Sequence, residues 1–123
     1  MDENFEKGLK IRQQLFGKER VEESFAPPDD LTQKFMRLMT SSCFGGVWGD
    51  DTISLRDHSL ITICMLAAQH RFQHFELHAR VAVKNGCTPE LLTQVVQHLY
   101  VYCGAPTAVE AYRVVHKILY EKE

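Results

Sequence analysis

From Leu60 to Ala68 every side chain except that of Thr62 is apolar. A run this short does not cross a bilayer, which takes about 20 apolar residues. It shows no strand-like alternation either. Read as a helix, it is apolar on nearly every side, and such a helix has to be covered by other elements or other chains. It is therefore the expected centre of the fold. Its start is marked as well: Ser54 can cap it, and Asp57 at the third helical position resembles a capping box.

The rest of the chain reads as helices with short connections. A first helix is expected from about Glu3 to Phe16, with Phe5, Leu9 and Phe16 near one face and Gly17 closing it. Asp29 or Asp30 can cap a second, whose apolar stripe is Leu31, Phe35 and Leu38. It fades towards Ser41–Gly46. After the central helix, Gln69-His70-Arg71 makes a turn. A further helix then runs from about Phe72 to Asn85 and ends at Gly86. Thr88-Pro89-Glu90 is a strong helix start: Thr caps, Pro takes the first position, and Glu suits the positive end of the dipole. A last helix is expected from about Pro106 to Tyr120. The reading is an all-α chain of about six helices, without a sheet, in one domain spanning residues 1–123.

Composition narrows the function classes. A formal charge of −2 and scattered Lys and Arg argue against a nucleic-acid surface. The acidic N-terminus has no apolar signal-peptide core, so a cytoplasmic protein with no membrane segment is expected. Cys43, Cys64, Cys87 and Cys103 form no CxxC, which argues against a zinc ribbon or a dithiol motif.

The residues with chemistry gather between positions 56 and 80. His70, His74 and His78 are spaced i, i+4, i+8, but three such imidazoles span about 12 Å, too far for one ion. No HExxH is present, and no metal is expected. His78, on an amphipathic helix, is an acid/base candidate because imidazole titrates near neutrality. Arg56, near the start of the central helix, can grip a carboxylate through two parallel hydrogen bonds, or can simply pair with Asp57, Asp51 or Asp50. His58 is placed to point into the same space. Trp48 can pack in the core or line a pocket.

The whole chain resembles the gamma-carboxymuconolactone decarboxylase family, within the alkylhydroperoxidase D-like superfamily. The resemblance is carried by Phe5–Arg12, Gly45–Trp48, Leu55–Thr62, Leu77–Arg80 with Asn85-Gly86, Tyr102–Pro106 and Glu110–Arg113. It implies an all-α fold and a ring-like homo-oligomer, usually a hexamer arranged as a trimer of dimers. It implies cofactor-free loss of carbon dioxide from 4-carboxymuconolactone, giving the beta-ketoadipate enol-lactone of aromatic catabolism. His78, Arg56 and His58 are then the expected catalytic residues, and Arg80, Trp48, Tyr102 and His74 the expected contacts to a small carboxylate substrate. The peroxidase branch uses CxxC followed four residues later by His. With His78 as that His, the Cys positions hold Arg71 and His74, so dithiol peroxide reduction is not expected. Decarboxylase relatives commonly carry Glu at the position of Gly46 and Arg at that of His58. Two alternatives stay open: a peroxiredoxin-like redox protein using a lone thiol such as Cys43 or Cys103, and a non-catalytic oligomeric binding subunit.

Overall fold

The computed structural model describes residues 2–121, and all regular structure among them is helical. In chain order these are α1 (Asp2–Phe16), α2 (Lys18–Ser24), α3 (Asp30–Met39), a π-helical segment (Thr40–Val47), α4 (Leu55–Ala68), α5 (Phe72–Lys84), α6 (Pro89–Cys103) and α7 (Ala105–Tyr120). Helices from the sequence recur with small boundary shifts, and α2 is added. The chain divides after Ile53 into two compact units.

In the N-terminal unit, α1 packs against the π-helical segment almost backbone to backbone. A methyl group added at Gly8 would run into the Thr40 carbonyl, and one at Gly45 would run into the Asn4 carbonyl. Glycine is needed at both places because nothing larger fits. The wider π turn is set by i→i+5 bonding, seen where the Trp48 amide donates to the Cys43 carbonyl at 2.9 Å. Gly17 has φ 94°, outside the range where side chains are comfortable, and lets α2 leave α1 at once. Asp29 caps α3 by accepting from the Thr32 amide. The apolar stripe of α3 exists, but it faces outward: Leu31, Phe35 and Leu38 are 80%, 52% and 64% exposed, and the helix buries no residue.

The C-terminal unit is built from α4 to α7. Its core joins Ile63, Phe75, Leu92, Val95, Leu99 and Val115 to Ala67, Ala79, Ala82, Ala108 and Ala111. Four of those alanines are fully buried, which lets α4, α5 and α7 approach closely around Phe75. The caps form as the sequence predicts. Ser54 accepts from the Asp57 amide, Thr88 from the Leu91 amide, and Pro89 opens α6. Gly86 follows α5 with φ 104°. The turn before α5 is sharper than a polar linker requires. His70 sits at φ 62°, a left-handed conformation His tolerates better than most residues, and its Nε2 is 3.0 Å from the Thr107 Oγ1. Within the single chain α4 is only partly covered. Ser59, Ile63 and Ala67 are buried while Ile61 and Met65 remain about half exposed.

Candidate functional site

The expected site residues fall on three helices of the C-terminal unit, apart from Trp48. On α5, His74 and His78 lie one turn apart on one side of the helix. His74 is exposed and His78 is half-buried. Burial is the main cause pulling the His78 proton affinity down from 6.5 to about 4, and the neighbouring His74 adds to it. At neutral pH this imidazole is therefore uncharged. His70 does not extend the stripe, because the left-handed turn carries its ring to Thr107.

Two residues further along α5, Arg80 is engaged. Its Nη2 donates to Glu76 Oε2 at 2.9 Å, and Lys117 of α7 reaches the same oxygen at 3.1 Å. The hydrogen bond from Arg80, then that from Lys117, holds the Glu76 carboxyl below its ordinary value. Glu76 thus clamps α5 to α7. Sequence reading had passed over it, although its i,i+4 spacing to Arg80 was a visible signal.

On α4, Arg56 lies about half exposed and directs Nε and Nη2 to Asp57 Oδ1 at 3.4 and 3.3 Å. Its aliphatic stem passes beside Gly86. Gly86 lies just past the end of α5, so Arg56 stands at the C-terminal end of the helix that carries His78. The two groups thus lie on a pair of packed helices, Arg56 on α4 and His78 on α5. The α4–α5 register is fixed near Arg56 by Asn85, whose Nδ2 donates to Ser59 Oγ at 3.0 Å, and by Cys87, whose thiol points at the Arg56 carbonyl. His58 is half-buried one turn into α4, where its carbonyl accepts from Thr62 Oγ1. Tyr102, in the last turn of α6, is 83% exposed.

Trp48 belongs to the N-terminal unit. Its ring is buried and stacked on Phe44, with centroids 6.1 Å apart. Gly46, two residues earlier, is exposed, and a side chain there would meet only the Ser41 carbonyl at 3.7 Å, an ordinary contact. Three of the four thiols are poorly primed. Burial pushes those of Cys43, Cys64 and Cys87 up, with Arg12 opposing at Cys43 and Arg56 at Cys87. Nucleophilic cysteines need the reverse.

The sequence profile of the carboxymuconolactone decarboxylase family matches residues 33–117. The chain is 31% identical to the nitrosuccinic acid decarboxylase of Metarhizium robertsii, over 94% of this chain and 80% of that protein. It is 26% identical to the 4-carboxymuconolactone decarboxylase of Acinetobacter baylyi, over 95% of this chain and 87% of that one. No helix among the described residues is long and apolar enough to cross a membrane.

Proposed function

The chain belongs to the carboxymuconolactone decarboxylase family, and on that premise we propose that it decarboxylates a small organic acid, with His78 at the reacting centre. The observation that carries the reading is the half-buried, uncharged His78 imidazole on α5. Two similar proteins are named as decarboxylases of 4-carboxymuconolactone and of nitrosuccinic acid. In an acid of either kind, the electrons left by departing carbon dioxide can move onto a lactone or nitro oxygen. The protein then has to stabilise that oxygen and keep the substrate oriented, and a proton taken up from solvent ends the reaction by replacing the lost carboxylate on carbon.

A neutral imidazole suits the first task. It donates one N–H to the growing negative charge without giving up a proton, and a donor so placed is worth about 3–4 kcal/mol. Arg56 suits the second. Its pair with Asp57 is half exposed, a type worth about 0–1 kcal/mol, so a substrate carboxylate gripping the guanidinium at two points displaces it. In this reading His58, His74 and Tyr102 meet the substrate, and Arg80 holds α5 in place through Glu76. The reading also includes a homo-oligomer, whose contacts cover Ile61 and Met65 of α4. Light scattering on the purified protein tests that part.

The test of the activity is direct. Purified protein is supplied with 4-carboxymuconolactone, followed by ultraviolet absorbance, and with nitrosuccinate, followed by carbon dioxide release. Turnover of at least one is expected, with a loss of about 100-fold or more in His78→Ala. No carbon dioxide from either acid, or unchanged turnover in a folded His78→Ala protein, would refute the proposal.

A further inference from the structure

Helix α3 has no part in the proposed reaction, and it carries a face that the chain itself leaves open. Leu31, Phe35 and Leu38 recur at i, i+4 and i+7, so they form one stripe along a single side. All three are more than half exposed, and none of the ten residues of α3 is buried. Asp29 caps the helix through both the amide and the hydroxyl of Thr32, so the stripe starts on a terminated turn. Large apolar side chains scattered singly over a surface are ordinary, whereas an aligned row marks a contact face.

Two features say what covers it. The first is the order of the stripe. From either end it reads Leu, Phe, Leu, with Phe35 next to the midpoint between Leu31 and Leu38. A second α3 laid antiparallel across it sets Leu31 of each copy against Leu38 of the other, and Phe35 beside Phe35. Such a face is self-complementary under a two-fold axis. The second feature is charge. Asp30 stands in the first turn of α3 and Arg37 in the last. Seven residues take the helix round about two turns, so both lie on the same side of the stripe. Antiparallel pairing brings Asp30 of one copy to within about 3 Å, along the axis, of Arg37 of the other. Within one copy the two stand about 10 Å apart along the axis and do not reach each other. The Phe5 ring, its centroid 4.8 Å from Cζ, steadies the Arg37 side chain, which stays exposed. A membrane surface suits the ridge less, because Asp29 and Asp30 balance Lys34 and Arg37.

We propose that two copies of this chain associate through α3, antiparallel about a two-fold axis, with the Leu31, Phe35 and Leu38 ridges packed together and Asp30 paired with Arg37 at each end. The contact lies in the N-terminal unit and depends neither on the decarboxylase reading nor on contacts made by α4. Lys34, beside the axis, faces Lys34 of the other copy, and that like-charge approach limits the affinity. Three side chains per copy make less than a standard interface of about 800 Å² per partner, so the contact alone has a Kd on the order of 100 µM.

The test follows the intact chain by sedimentation equilibrium from about 1 µM to about 1 mM, a range that brackets this Kd. Phe35→Gln should weaken association at least tenfold with an unchanged circular dichroism spectrum, since the side chain is exposed. Where other contacts keep copies together over the whole range, Phe35→Gln should lower the number of copies per particle. Asp30→Lys and Arg37→Glu should each weaken association, and the two together should recover it, a coupling that no contact within one copy provides. Lys34→Gln should tighten it. A Phe35→Gln protein with the mass distribution of the wild type at every concentration overturns the contact. Additive losses in the protein carrying both Asp30→Lys and Arg37→Glu overturn the antiparallel arrangement. Wild type that stays monomeric throughout also overturns the proposal, and its sedimenting with vesicles of anionic phospholipid would assign the ridge to a membrane instead.

Discussion

Acid should destabilise this protein through His78, and the size of the effect follows from its setting. The folded-state proton affinity lies near 4, against 6.5 for the free imidazole. As pH falls, the unfolded chain takes the proton first. Stability from this residue is therefore complete above about pH 6.5 and is lost progressively down to about pH 4. Between pH 7 and pH 4.5 the linkage amounts to about 2–3 kcal/mol. With an urea dependence of about 1–3 kcal/mol per molar, the unfolding midpoint should fall by about 1–2 M more in the wild type than in His78→Gln. Every other group is common to both proteins, so the difference between them isolates the one ring. Urea unfolding followed by circular dichroism at the two pH values measures it. Equal losses in wild type and His78→Gln would show that the imidazole is not held neutral by burial, and the argument for its role as an uncharged donor would fail with it.

Other outcomes follow from the same structure. For the acid that proves to be the substrate, kcat should be flat between pH 6 and 8, because a ring titrating near 4 imposes no limb where an ordinary histidine would; a limb near 6.5 that disappears in His78→Ala would contradict this. Gly8→Ala should destabilise by about 1–3 kcal/mol through collision with the Thr40 carbonyl, whereas Gly46→Ala, which makes only an ordinary contact with the Ser41 carbonyl, should be neutral or slightly stabilising in thermal unfolding. Phe75→Ala should cost about 3–5 kcal/mol, since the ring is fully buried among alanines that leave it no substitute. Thr88→Ala should cost about 1 kcal/mol by removing the acceptor of the Leu91 amide, which denaturant unfolding can resolve.

Much of the helical order is written in local chemistry. Ser54, Thr88 with Pro89, and Asp29 act within a single turn, so their caps are legible without knowledge of the fold. Helix α2 is not, because Lys18–Ser24 is short and polar and buries only Val21. The π register is equally hidden. It arises where α1 presses against Gly45, a contact that no periodicity records. Hydrophobic spacing marks the Leu31, Phe35 and Leu38 stripe but cannot say whether anything covers it. At the candidate site, the positions of His78 and Arg56 could be singled out from the sequence. The pairing of Arg56 with Asp57 was one of the local options it offered. The buried state of His78 depends on packing from several elements and could not be read.

The four fully buried alanines of the C-terminal unit constrain how this scaffold can diversify. Ala79 and Ala82 follow His78 within about one turn of α5, so enlarging either would lever the helix outward and re-aim the imidazole. In the proposed site, adaptation to a new acid is thus channelled towards positions such as His58, His74 and Tyr102, while the spacing of the buried alanines stays frozen. Mutational libraries for altered selectivity should accordingly leave the alanines alone and vary that periphery.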